Sequence, residues 1–145
     1  MNNLILVLLM ACGGLAVALQ PSINARLAQK VGSFESSLLS FAVGTLTMLA
    51  HVMIFGRGGL RSIGSVTWWE LTGGFLGAYF VTMTIIAVPR LGTAAVMAIV
   101  IAGQLITGAL LDQFGAFGLR QVQMTPLRGV GILLLCLGAG LVLRK

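Results

Sequence analysis

Ionisable side chains are the first place to look for chemistry, and this chain of 145 residues has few: nine Lys and Arg, three acids and one His. The acids are Glu35, Glu70 and Asp112, and each falls at the end of an apolar run. An ionisable group at mid-depth in a membrane marks a substrate or proton pathway, but none is placed there. Glu35 and Glu70 lie where first helical turns are expected, so their charge complements the helix dipole. Asp112 closes its run, where a carboxylate opposes the dipole, and Arg120 and Arg128 are the cations within reach. His51 has no carboxylate near it in sequence and reads as a packed or interfacial residue, not as a proton relay. Cys12 and Cys136 sit inside apolar runs without metal-ligand spacing and read as small buried hydrophobes. These residues provide no metal site, no cofactor motif and no nucleophile–base pair, so an enzyme is not expected.

Neutral polar and small residues carry more information. Ser40, Gly44, Thr47 and His51 recur at i, i+4, i+7 and i+11, one face of a helix. Gly13, Val17, Gln20 and Asn24 share a face by the same count. Gly103, Gln104, Thr107 and Gly108 cluster near the middle of a later run, and Tyr79 lies on the run before it. A layer through the membrane centre would hold Gly13, Gly14, Gly44, Thr45, Tyr79 and Gln104. An unpaired amide in hydrocarbon is costly, so Gln104 must meet something polar. Two readings stay open for this set. The side chains either hydrogen-bond helices together, at about 0.6 kcal/mol each, or line a hydrated cavity. The cavity candidates are Gln104, Gln20, Asn24, Ser40, Thr45, Tyr79, Gly13 and Gly14. Gly73 and Gly77 have the small-xxx-small spacing of close helix contacts, and Gly44, Gly131 and Gly138 join them as packing positions.

The elements that must position these residues are plain in the hydropathy. Five apolar segments, at about 3–28, 35–55, 68–88, 91–113 and 127–143, each approach the ~20 residues that a ~30 Å hydrocarbon core requires. They form a single five-helix transmembrane domain, 1–145. Val31-Gly32-Ser33 turns the chain into the second span, with Ser33 or Ser36 available as its cap. Residues 56–67 form a solvated loop, and Trp68 and Trp69 follow at headgroup depth. Pro89-Arg90 is expected to turn the third span into the fourth. Residues 115–125 are a second loop, and Pro126 suits a first helical turn. The runs are continuously apolar and lack the alternation of barrel strands. The first run lacks a preceding Lys or Arg, so it reads as a span and not as a signal peptide.

Composition agrees. Hydrophobic residues make up 58% and charged ones 8%, against roughly 45–50% and 25% in soluble domains. Mean hydropathy is +1.05. The net charge of +6 is scattered singly and in pairs between apolar runs, which points to lipid headgroups and not to nucleic acid. By side of the membrane, Arg57, Arg61, Arg120 and Arg128 fall with the N-terminus, and Arg26, Lys30, Arg90, Arg144 and Lys145 fall opposite. Orientation follows the cytoplasmic excess of Lys and Arg, and four against five is almost no bias. Either the bias is simply weak, or the chain inserts both ways and pairs antiparallel, making an inverted-repeat transporter from two copies. A paralogue of opposite bias would serve as an alternative partner.

One series of motifs runs through the chain: Gly13-Gly14, Gln20-Pro21-Ser22-Ile23-Asn24-Ala25, Ser40-Phe41 with Val43-Gly44-Thr45, and Trp68-Trp69 with Gly73-Gly74 and Leu76-Gly77. It continues through Gly103-Gln104, Asp112-Gln113-Phe114-Gly115 and Arg128-Gly129-Val130-Gly131. On these residues the chain resembles the YdcZ-like family of the drug/metabolite transporter superfamily. The resemblance implies a five-helix half-unit similar to one repeat of the ten-helix EamA-type exporters, often of dual topology. The membrane-embedded Glu that small multidrug exporters carry near the N-terminus is absent here, which argues against their proton-coupled cation mechanism.

The expectation is therefore an all-α integral protein of a bacterial inner membrane, with membrane lipid and a second, antiparallel copy as partners. It would move a small neutral, zwitterionic or amphiphilic metabolite by alternating access. A non-transporting scaffold or accessory subunit is the alternative.

Overall fold

A computed structural model describes residues 3–144, apart from the side chain of Arg61. Five α-helices follow one another: α1 (Asn3–Val31), α2 (Ser33–Phe55), α3 (Thr72–Leu91), α4 (Thr93–Phe114) and α5 (Pro126–Val142). Short 3-10 turns occupy Leu60–Ser65, Trp68–Leu71 and Ala116–Gly118, and no strand occurs among the described residues. Four helices, with the Trp68–Leu71 turn counted into the third, are long and apolar enough to cross a membrane. The fifth, α5, is an apolar helix of 17 residues, about 25 Å at 1.5 Å per residue. In lipid a helix satisfies its backbone internally, which is why such apolar segments take this form.

The chain divides into two compact units, 1–90 and 91–145. In the first, α1 and α2 pack side by side, joined by the single residue Gly32. Gly32 has φ 100° and ψ 157°, a region open essentially to glycine alone. The expected Ser33 or Ser36 cap is not made: Gly32 is the N-cap, and no side chain caps α2. Ser36 Oγ donates instead to the Asn24 carbonyl at 2.8 Å, a partner on α1. Pro21 lies inside α1, where it removes one helical hydrogen bond from the Val17 carbonyl, and the helix still runs on to Val31.

The turn expected at Pro89-Arg90 is displaced. Helix α3 continues through both residues to Leu91, and the break falls at Gly92, with φ 83° and ψ 152°. Proline forbids continuation only through its own missing N–H and its clash with the carbonyl four residues back. One such defect in a last turn is tolerated, whereas the positive φ at the break is a conformation that favours glycine.

In the second unit α4 packs on α5. Gly115 ends α4 in the left-handed conformation, with its N–H on the Asp112 carbonyl at 3.3 Å. Thr125 caps α5, accepting the Arg128 N–H at 3.3 Å, and Pro126 takes the first turn.

Burial within the chain is sparse. The buried apolar residues are Ala25, Val81, Ile85, Val96 and Ala109, while most Leu, Met and Phe side chains stay exposed. In water this distribution would not support a fold; in lipid the outward apolar surface is solvated.

Gly32→Ala and Gly92→Ala should each destabilise the detergent-solubilised protein by about 1–3 kcal/mol, the cost of forcing a side chain into this backbone region. Gly138, helical and with open space at its Cβ position, is the control, and its Ala variant should unfold at the parent temperature or above. Thermal loss of circular dichroism compares the three.

Candidate functional site

The first unit is tied at one end by a knot of short polar side chains. Asn24 is buried, as are Ser36, Ser37 and Thr84. The Asn24 amide donates to Ser40 Oγ at 3.1 Å, and its backbone carbonyl accepts from Ser36. Hydroxyls of Thr82 on α3 and Ser37 on α2 lie 2.8 Å apart in a hydrogen bond. Thr84 Oγ1 returns its proton to the Val81 carbonyl at 2.9 Å. No buried side-chain nitrogen or oxygen is left unpaired among the described residues. Each bond made away from water avoids a desolvation penalty of about 1–3 kcal/mol.

Beyond this knot, a groove of about 530 Å³ opens along α1 and α2. Gln20 contributes from α1, and Ser40, Phe41, Gly44, Thr45, Met48, Leu49 and Val52 from α2, with Leu60 at its far end. From Ser40 to Val52 it follows α2 for about 18 Å. Its wall is apolar, with polar groups confined to Gln20, Ser40 and Thr45. Such a surface suits a ligand with an apolar body and a few hydrogen-bonding points, because it offers donors and acceptors without fixed charge.

The candidates picked from sequence therefore part company. Gln20, Ser40, Gly44 and Thr45 meet in this groove. Asn24 is turned inward as a clasp between α1 and α2. Gly13 and Gly14 have no neighbour within 4 Å of a Cβ position and are absent from the groove lining. Tyr79 is 62% exposed and lies outside that lining. A Cβ placed at Gly77 would lie 3.5 Å from the Phe41 ring, whereas the same position at Gly73, Gly44, Gly131 and Gly138 is open space. His51 Nδ1 donates to the Thr47 carbonyl at 2.8 Å and its ring lies 6.1 Å from Phe55, with no acid beside it.

Gln104 belongs to the second unit. It lines a cavity of about 380 Å³ with Leu105, Gly108, Ala109, Asp112, Arg128, Gly131, Ile132 and Leu135. Asp112 and Arg128 close its rim as an ion pair of 2.6 Å. Of the two cations considered for Asp112, Arg128 makes the bond. The pair extends into a brace for the 115–125 loop. The Asp112 carbonyl accepts from Val122 N–H at 2.9 Å, and Arg128 Nη1 donates to the Val122 carbonyl at 3.4 Å. Gln113 Oε1 accepts from Met124 N–H at 2.7 Å, and the Gln113 carbonyl accepts from Gln121 at 2.8 Å. Both partners are over a third exposed, so solvent screens the pair and its net contribution is below about 1 kcal/mol.

Sequence reasoning missed the Ser36, Ser37, Thr82 and Thr84 knot. Its signal was available: two adjacent serines, and two threonines two apart, inside strongly apolar helices. No group of His, Cys, Asp and Glu able to hold a metal occurs among the described residues.

Comparison with known proteins places this geometry in context. The family described as "Putative inner membrane exporter, YdcZ" matches residues 5–141. Inner membrane protein YdcZ of Escherichia coli (strain K12) is 28% identical over 153 aligned positions, which cover 100% of this chain and 99% of that protein. No solved structure matches the chain.

Asn24→Ala should lower stability by about 1–3 kcal/mol, because it leaves Ser40 without its partner in a part-buried helix contact. Asp112→Asn should cost less than about 1 kcal/mol. Denaturation midpoints in one detergent rank the two, and equal midpoints would contradict the assigned roles.

Proposed function

The chain belongs to the YdcZ family of inner-membrane exporters, and from that premise we propose that it is a subunit of a dual-topology, antiparallel homodimer. An inner-membrane location and a transporter family are established by that membership. The family is described as one of inner-membrane exporters and not as an enzyme class. The proposal concerns the assembly, the pathway and the cargo.

One observation carries the reading: the groove of the first unit gathers Gln20, Ser40, Gly44 and Thr45, polar or small residues in a chain otherwise dominated by apolar side chains. A polar strip along a spanning helix has a use when water or substrate reaches it. Two five-helix subunits, oppositely inserted, would enclose the pathway and rock between inward- and outward-open states. The near-even basic flanks supply the second support, since little in them selects one orientation. A groove without fixed charge favours a small neutral, zwitterionic or amphiphilic metabolite. A bare cation would lie there without a counter-ion, at a large desolvation cost. Gln104, with the Asp112–Arg128 pair at its rim, would add a second polar station.

A scaffold that only packs against other membrane proteins would keep these side chains away from water. With Cys12 and Cys136 replaced by Ala, Thr45→Cys and Gln104→Cys should react with a water-soluble thiol reagent. Protection of both from both membrane faces would support the scaffold instead. Reporter fusions at the C-terminus should give signal on both faces of the membrane. Signal on one face alone would remove the homodimer and leave an oppositely inserted paralogue as the partner required.

A further inference from the structure

We propose that the pocket where α1 ends, α2 begins and α3 ends binds the headgroup of an anionic phospholipid. The pocket, about 250 Å³, has Ala25, Ile85 and Pro89 among its apolar lining and Gln29, Ser33 and Arg90 among its polar lining. Ala25 and Ile85 are buried, at 5% and 1% exposure, so its floor is the packed core of the first unit. Its volume lies below the roughly 300–1,000 Å³ that encloses a drug-sized ligand. It fits a phosphodiester and the carbons beside it, while the acyl chains would run down the exposed apolar flanks of the helices.

Charge favours an anion. Lys30 follows Gln29 directly, and Arg26 lies one helical turn before Lys30. None of Arg26, Lys30 and Arg90 forms an ion pair among the described residues, where Asp112–Arg128 is the pair formed. No acid lines the pocket. Glu35, the acid nearest in sequence, folds its carboxylate over Gly32. Gln29 and Ser33 line the pocket with Arg90 and supply neutral hydrogen-bond donors.

Depth favours a lipid over a free anion. Helix α1 has 29 residues, about 43 Å of helix against a hydrocarbon core of about 30 Å. If its apolar start lies at one edge of the core, the stretch past Asn24 emerges at headgroup level on the other side. Each basic residue near an anionic surface contributes about 1 kcal/mol, which is about fivefold in affinity. A buried apolar floor with Arg90 in the lining, and Arg26 and Lys30 on the last turns of α1, matches an amphiphile, and inorganic phosphate would leave that floor wet.

The test does not depend on transport. The protein is reconstituted in phosphatidylcholine vesicles containing a minor share of phosphatidylglycerol and extracted in mild detergent, and the retained lipid is quantified by mass spectrometry. Retained phosphatidylglycerol should be enriched over its vesicle share, and excess inorganic phosphate should not displace it. Arg90→Gln should lower the enrichment about fivefold, and Gln29→Leu, which leaves net charge unchanged, should lower it measurably. Arg57→Gln, in the 56–59 loop beyond the other end of α2, should leave it intact. Circular dichroism and a single elution peak establish that each variant is folded. No enrichment in the parent, an equal loss in Arg57→Gln and Arg90→Gln, or no effect of Gln29→Leu would overturn the proposal. Displacement by inorganic phosphate would reassign the pocket to a free anion.

Discussion

The first helical unit depends on one buried asparagine. Asn24 reaches Ser40 with its amide and receives Ser36 on its carbonyl, so side chain and backbone of one residue grip two points of α2 a turn apart. In a lipid-solvated protein the hydrophobic effect does not push helices together, because acyl chains are as apolar as leucine. Packing contacts and hydrogen bonds are what remain. The clasp sets the register of α1 on α2, and the Gly32 junction, the groove beside Ser40 and the pocket over Ala25 all follow from that register.

Polar groups here serve two purposes, separated by depth along the helices. At the Gly32 end they are turned inward and satisfy one another, as Ser37 and Thr82 do. Farther along α2, Thr45 and Gly44 face a groove. Ser40 belongs to both sets, accepting from Asn24 and lining the groove at once. A rearrangement that freed Ser40 would alter the clasp and the groove wall together. One side chain thus joins the helix contact to the groove wall.

Helix content and membrane class were legible because long apolar runs admit no other backbone solution in lipid. Legibility ended where side chains had to be assigned inward or outward. Gly13, Gln20 and Asn24 share a face by periodicity, yet Asn24 is buried, Gln20 lines the groove and a Cβ position at Gly13 opens on empty space. Periodicity gives an angle around the helix and not the distance to a neighbour. Likewise Pro89 looked like a turn and Gly92 did not, although the positive φ sits at Gly92. Asp112 was recognised as needing a cation, but Arg120 and Arg128 could be told apart only by the course of the loop between them.

The junction at Gly32 has a mechanical consequence. A loop of several residues absorbs an inserted or deleted amino acid by bulging, but a link one residue long has no slack to give. Adding a residue ahead of Gly32 would turn α1 by about 100° relative to α2, swinging Asn24 out of reach of Ser40 and presenting a different stripe of α1 to its neighbour. Length is thus held constant at Gly32 by the packing of α1 on α2, and natural variation in chain length should accumulate in the 56–67 and 115–125 segments instead.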